Sequence, residues 1–306
     1  MKKILIGVPC YNEEGNIEFF LEALLKTLNK ITNFQFEIIF LDDGSIDNTW
    51  KVIKKLNINN NNYKINGIKF SRNFGKEIAI KCLLERAESY DHFITIDSDL
   101  QHPPELIEDL INILSSTKNR IVLTKKTNKN SKFLRLYTTK IFYYIFNLFS
   151  EFKLINGLSD FSIIDNKVVR TINSFKNNIF IFKTALQSVG YKPIIIEFDI
   201  EEREKGKSNF NFVRLIGYAF QTIYTYNSPF IIKFNLINLS FVILFSVFLS
   251  LISFFILPHL LTNIFIFFIF LMIFWITISI MTITIYLVFL TKEIDRKPIY
   301  IIDEEV

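Results

Sequence analysis

Apolar positions follow two rhythms along the first two-thirds of the chain. Phe93 to Ile96 is a short apolar run that reads as a buried strand, and Ile4 to Val8, Phe36 to Leu41, Ile65 to Phe70, Arg120 to Thr124 and, further on, Ile194 to Ile200 read as strands too. Between them the spacing changes to that of a helix. Ile17, Phe20, Leu21, Leu24, Leu25 and Leu28 recur on one face, and further helices are expected from Thr49, from Lys76 through Ala87, and after Pro103-Pro104-Glu105. Asp47 is placed to cap the helix at Thr49. Strands alternating with helices predict an α/β domain with a mostly parallel sheet. The Asn-rich stretch from Asn57 to Asn62 reads as a solvated connection.

After Thr124 the pattern changes. Lys125, Lys126, Lys129, Lys132 and Arg135 precede Phe133, Leu136, Tyr137, Ile141, Phe142, Tyr144, Ile145 and Phe149. A basic start on an aromatic, apolar helix suits the plane of a membrane interface, although a core helix with a solvated start has the same pattern. Residues 210–226 repeat it. Residues 234–257 and 264–290 then run essentially without charge, each beyond the roughly 20 residues needed to span a bilayer. Lys233 precedes this pair, and Lys292, Arg296 and Lys297 follow it, so positive charge flanks the hairpin on one side. Residues 1–228 are therefore expected as a cytosolic catalytic domain with interfacial helices near 131–150 and 210–226. Residues 229–290 are expected as two transmembrane helices, and 291–306 as a cytosolic tail.

Composition refines this only in places. Half of the 306 residues are hydrophobic, and the excess collects after about residue 229. A net charge of +5 is too small to argue for a nucleic-acid partner. The two cysteines, Cys10 and Cys82, lack metal-ligand spacing and give no sign of a disulfide. Only a few apolar residues separate Met1-Lys2-Lys3 from Pro9, too few for a signal-peptide core.

The chemistry collects where strands end. The fourth strand runs into Asp97-Ser98-Asp99-Leu100-Gln101-His102-Pro103-Pro104-Glu105, the second into Asp42-Asp43-Gly44-Ser45, and the first into Pro9-Cys10-Tyr11-Asn12-Glu13. In open α/β sheets ligands bind at that edge. Asp and Gln oxygens are hard ligands suited to Mg²⁺ or Mn²⁺ shared with a substrate phosphate, while Asp is also an ordinary turn former. Neither a Gly-x-Gly-x-x-Gly turn nor a Gly-Lys-Ser/Thr loop is present, which disfavours a nicotinamide dehydrogenase or a P-loop enzyme.

Val8-Pro9-Cys10-Tyr11-Asn12-Glu13-Glu14, Leu41-Asp42-Asp43-Gly44-Ser45-x-Asp47 and Asp97-x-Asp99-x-Gln101-His102-Pro103-Pro104, in this order, resemble the family 2 inverting glycosyltransferases of GT-A fold. More narrowly, they resemble the two-span bacterial polyprenyl-phosphate sugar transferases. The resemblance implies a GT-A, Rossmann-like, mostly parallel sheet followed by interfacial helices and a two-helix transmembrane hairpin. It also implies roles. Pro9, Tyr11, Asn12, Glu13, Asp42 and Asp43 would bind the nucleotide-sugar, with Tyr11 near the base and Asp43 accepting from a base N–H. Asp97 would face the sugar nucleotide, and Asp99 and Gln101 would hold the Mg²⁺ or Mn²⁺ on its diphosphate. Lys126 and Arg135 fall where relatives place cations for the acceptor phosphate. Asp160, in a Gly/Ser-Asp-Phe segment, would be a base or would position the acceptor, or be a mere turn residue. Arg203 and Ser208 match an Arg-x-x-Gly-x-Ser loop that closes over the diphosphate. His102, ahead of two prolines, reads as a turn residue.

The expected activity is transfer of a sugar from a UDP- or GDP-linked donor to a polyprenyl phosphate, by a multi-pass plasma-membrane protein whose catalytic domain and both termini are cytosolic. The anchor could assemble as a homo-oligomer. A membrane transferase acting on a hydroxyl is the alternative within enzymes. It would make Asp160 an indispensable base. A non-catalytic nucleotide-binding scaffold is the alternative outside enzymes, opposed by the intact Asp97, Asp99, Gln101 and Arg203.

Overall fold

The computed structural model describes residues 1–56, 63–127, 140, 143–144, 146–148, 150, 152–175, 178–199, 217, 222–223, 225–226, 228–255, 258–294 and 297–306. They fall into two compact units. Met1–Lys140, Leu154–Asn209 and Arg296–Val306 form one, and Ile141–Lys153 with Phe210–Asp295 the other.

The first unit is built on a sheet of strands β1 (Lys2–Cys10), β2 (Phe34–Asp42), β3 (Tyr63–Phe70), β4 (His92–Thr95), β5 (Ile121–Thr127), β6 (Leu158–Asp165), β7 (Ile194–Asp199) and β8 (Ile302–Glu305). Their spatial order is β7-β5-β6-β4-β1-β2-β3-β8. Pairs β1–β2, β1–β4, β2–β3 and β5–β7 are parallel, so the mostly parallel α/β sheet expected from the alternation is what forms. Helices α1 (Ile17–Leu28), α2 (Thr49–Lys55), α3 (Lys76–Arg86) and α4 (Leu106–Ser116) are the crossovers, and α5 (Asn166–Asn173) and α6 (Phe182–Ser188) follow β6. The apolar stripe of α1 packs as its spacing predicts. Ile17, Phe20, Leu21, Leu24 and Leu28 are buried, and Phe20 meets the edge of Phe40 from β2 at 6.2 Å.

Three features depart from the sequence expectation. Strand β5 continues through Thr127, so Lys125 and Lys126 are strand residues and not the start of a helix. Strand β6 enters between β4 and β5, antiparallel to both, with Thr95 opposite Ser162 and Val122 opposite Ile163. Within the 291–306 tail, for which no regular structure was expected, the final residues are ordered against the sheet. They form β8, antiparallel to β3 at the sheet edge.

The second unit contains helices α7 (Ser228–Phe255) and α8 (Pro258–Ile294); the expected span 264–290 falls within α8, and 234–257 within α7 except for residues 256–257, which lie outside the described residues. Among the described residues one stretch, Leu271–Thr291, is long and apolar enough to cross a membrane, and Ile232–Phe248 is a shorter apolar run. The expected interfacial helices lie largely outside the described residues.

Candidate functional site

The parallel register brings three strand ends to one edge. Cys10 stands beside Asp42, and Gly7 beside Thr95. The Asp43 N–H donates to the Cys10 carbonyl at 2.9 Å and the Ile96 N–H to that of Gly7 at 3.2 Å, so the loops leave the sheet already joined. Pro9 is buried at the end of β1, while Tyr11 is exposed at the rim.

Much of the polar chemistry here orders the loops themselves. Asn12 takes a left-handed backbone (φ 56°), which Asn tolerates better than most residues. Its N–H donates to Ser45 Oγ at 2.9 Å and its Oδ1 accepts from the Ile46 N–H at 3.0 Å. The Glu13 N–H donates to Thr49 Oγ1 at 2.8 Å, and Asp47 Oδ1 accepts from the Thr49 N–H at 3.0 Å, at the helix start where a cap was expected. Asp42 is fully buried and accepts from the Ser45 N–H (2.9 Å) and hydroxyl (2.5 Å). Burial pushes its carboxyl up.

Asp43 clasps a second loop. Its Oδ1 accepts from the Phe74 N–H at 2.7 Å and its Oδ2 from the Gly75 N–H at 2.9 Å. Each oxygen keeps a further lone pair for a ligand. Burial outweighs these two bonds and raises the carboxyl to about 6. Gly44 makes the clasp sterically feasible. It sits at φ +67°, and a Cβ there would lie 2.3 Å from the carbonyl carbon of Arg72.

Strand β4 delivers the acidic cluster. Ligand atoms of Asp97, Asp99 and His102 all lie within 4.8 Å of one another. His102 lies in a bend, as its sequence context predicts, with its side chain turned inwards. Its ring is buried between Phe161 and Phe198, each centroid 5.6 Å away. Nε2 lies 2.5 Å from Ser159 Oγ. Nδ1 is buried 3.7 Å from Asp97 Oδ2 and, among the described residues, has no hydrogen-bond partner. Burial lowers the imidazole to about 4, so the ring is neutral near pH 7. In the tautomer that carries its proton on Nε2, that proton goes to Ser159 and Nδ1 presents a lone pair towards the carboxylates. Two carboxylates and an otherwise orphaned imidazole nitrogen fit a divalent metal ion, and make this a candidate metal site. Gln101 is less committed to it. Its N–H donates to Asp99 Oδ1 at 3.1 Å, and its side-chain oxygen accepts from Lys126 Nζ at 3.4 Å.

The antiparallel β6 supplies the remaining carboxylate. Asp97 lies two residues beyond Thr95 and Asp160 two before Ser162, so the Thr95–Ser162 register directs both to the same edge. Lys76 Nζ bridges them, 2.7 Å from Asp97 Oδ1 and 2.6 Å from Asp160 Oδ2, and Lys183 Nζ lies 3.4 Å from Asp160 Oδ1. Burial alone would raise the Asp160 carboxyl, but Lys183 and Lys76 outweigh it and hold it below the usual carboxylate range. Burial likewise opposes the Lys76 charge, yet Asp160 and Asp97 outweigh it and keep the ammonium protonated. Glu77 braces the arrangement by accepting from the Phe182 N–H at 2.7 Å, which ties α3 to the start of α6.

Sequence reasoning missed Lys76, Lys183 and His102. A signal existed for the lysines. Both stand in the first turn of a helix, where a cation opposes the helix dipole and calls for a nearby anion. Arg135, Arg203 and Ser208 lie outside the described residues.

Comparison with known proteins adds an independent finding. A family model described as glycosyl transferase family 2 matches residues 5–173. An uncharacterized glycosyltransferase of Synechocystis sp. is 32% identical over 225 residues, which span 74% of this chain and 70% of that protein. A prophage bactoprenol glucosyl transferase homolog of Escherichia coli and the bactoprenol glucosyl transferase of Shigella phage SfV are each 30% identical over 226 residues, 74% of this chain and 72% of theirs.

Proposed function

The chain belongs to glycosyl transferase family 2 and is a glycosyltransferase, and from that premise we propose that it moves a sugar from a UDP- or GDP-linked donor to a polyprenyl phosphate at the cytosolic membrane face, with inversion at the anomeric carbon. The relatives that carry the name bactoprenol glucosyl transferase point to such an acceptor. The observation that carries the reading is the state of Asp160. A carboxylate with Lys76 at 2.6 Å and Lys183 at 3.4 Å is a weak base. A hydroxyl acceptor needs its proton removed, so this pairing opposes it. A phosphate monoester brings its own anionic oxygen, with a second pKa near 6, and needs positioning more than a base.

On this reading the donor's nucleoside lies over the loops that Asp43 joins, with Pro9, Tyr11, Asn12 and Glu13 around it and the buried Asp42 ordering the loop beneath. Asp97, Asp99 and His102 would hold Mg²⁺ or Mn²⁺, and Gln101, whose side-chain oxygen accepts from Lys126, would be a further ligand. An imidazole donor favours Mn²⁺ over the harder Mg²⁺. The metal, when bound, neutralises charge that develops on the leaving diphosphate. Lys76 keeps the donor-side Asp97 and the acceptor-side Asp160 in fixed relation. Lys126 and Arg135 attract the acceptor phosphate, and Arg203 and Ser208 close over the diphosphate. Residues 234–257 and 264–290 form a two-span anchor, open to oligomerisation, with both termini cytosolic.

A choice of acceptors tests this. Full-length protein in detergent, given a competent donor and metal, should glycosylate undecaprenyl phosphate and leave undecaprenol untouched. Glycosylated undecaprenol would sink the phosphate reading and restore Asp160 as a base.

A further inference from the structure

The last residues of the chain reach the loop that Asp43 holds. Strand β8 pairs with β3, with Glu305 opposite Ile68, Glu304 opposite Lys69 and Ile302 opposite Phe70. Backbone bonds continue past both ends of that ladder. Gly67 and Val306 exchange two, at 2.8 and 2.9 Å, and the Ser71 N–H donates to the Ile301 carbonyl at 3.0 Å. The acidic run Asp303-Glu304-Glu305 meets cations from three elements. Glu304 pairs with Lys54 of α2 at 2.6 Å, Asp303 with Lys69 of β3 at 3.3 Å, and Glu305 with Arg86 of α3. Such exposed pairs contribute little singly, but together they set which chain lies on this edge.

Tyr300 connects this strap to the site. Its ring stacks on Phe70, with centroids 5.1 Å apart and planes 20° from parallel, and its hydroxyl donates to Glu85 of α3. Phe70 is fully buried and meets Phe74 edge-on at 5.5 Å. The other face of the connection is the clasp already described, in which the Phe74 and Gly75 N–H groups donate to Asp43. From Tyr300 to the Asp43 carboxylate the path is therefore two ring contacts and one hydrogen bond. The next residue along, Lys76, bridges Asp97 and Asp160.

We propose that Tyr300 is a positioning residue for donor binding, and that the carboxy-terminal strap shapes the nucleoside pocket by fixing the 71–75 loop against Asp43. The proposal rests on the reading that a nucleoside diphosphate binds at the Asp43 loops. An aromatic pair of this kind is worth enough beyond its buried area to set one loop conformation, and a loop without it must pay for ordering when the ligand binds.

The test uses the full-length protein in detergent with UDP and GDP as probes. Nucleotide Kd, donor KM, acceptor KM and kcat are measured for wild type, Tyr300→Ala and Tyr300→Phe, with hydrogen exchange of the peptide covering 71–76. Tyr300→Ala should raise nucleotide Kd and donor KM about tenfold and speed exchange in that peptide, while kcat and acceptor KM change less than about threefold. Tyr300→Phe keeps the ring and should return to within about twofold of wild type. If Tyr300→Ala does not fold, Tyr300→Leu takes its place with the same expected split. Wild-type nucleotide affinity in the Ala or Leu variant overturns the proposal. So does an even loss across both KM values and kcat that Tyr300→Phe fails to rescue, since that marks a merely structural role. Wild type that binds neither UDP nor GDP overturns the underlying nucleotide reading instead, and the proposal falls with it.

Discussion

Removing Lys76 is the most informative single perturbation of the site. Its ammonium donates to Asp97 and Asp160 at 2.8 and 2.6 Å, and the two carboxylates are only 21% and 13% exposed. Lys76→Met keeps the length of the side chain and leaves both carboxylates without that counter-charge. Exposed ion pairs contribute about 0–1 kcal/mol, whereas breaking a buried one costs about 3–5 kcal/mol. The lysine is 42% exposed, so an intermediate cost of about 2 kcal/mol applies. Expressed wholly in the transition state, that is about a 30-fold loss in kcat/KM. Asp160→Asn removes the other end of the contact. In a double-mutant cycle read by glycolipid formation, the pair should show coupling of about 1–2 kcal/mol, the double variant being much less impaired than the two losses combined. Losses that add to within about 0.5 kcal/mol would refute the claim that Lys76 acts by joining the two carboxylates.

Two other sites make separate demands. Replacing His102 with Ala removes the imidazole nitrogen that faces Asp97, so the Mn²⁺ concentration giving half-maximal nucleotide binding should rise roughly 10–100-fold, and an unchanged midpoint would exclude His102 from the candidate metal site. Asp43 carries a pH signature. Its carboxyl is raised to about 6 in the folded protein from the ordinary 3.8, so the folded state binds the extra proton between those values. Its contribution to stability is fully present below about pH 4 and is lost as pH rises through 6, a swing of about 3 kcal/mol. The melting temperature of wild type relative to Asp43→Asn should therefore fall by several degrees from pH 4 to 7 and level off above, and a pH-independent difference would contradict the burial argument.

Local patterning made much of this molecule legible, and its gaps have physical causes. Strands β1, β2 and β4 are buried along most of their length and show as apolar runs, while the stripe on α1 shows at helical spacing. Asp97, Asp99 and Asp43 were legible as site candidates because a strand end is where a parallel sheet offers its ligands. Strand β8 was not: Asp303, Glu304 and Glu305 fall in the stretch expected only as a cytosolic tail. Their reason to order is Lys54, Lys69 and Arg86, which come from three distant elements. Asp160 was legible as a residue but not as a charge state. That state depends on Lys76 and Lys183, which meet it only because β6 runs antiparallel beside β4. His102 had the sequence context of a turn, and only the rings of Phe161 and Phe198 reveal it as a buried, aimed side chain.

The central claim is tested most directly by following labelled sugar into organic-extractable lipid. Purified full-length protein, undecaprenyl phosphate and Mn²⁺ or Mg²⁺ are supplied with a panel of UDP- and GDP-sugars, beside Asp99→Asn and a chelated control. The account predicts a glycolipid from at least one donor that requires the metal and is lost in Asp99→Asn. Nucleotide binding without a lipid product from any donor, or a product indifferent to chelation and to Asp99→Asn, would contradict it.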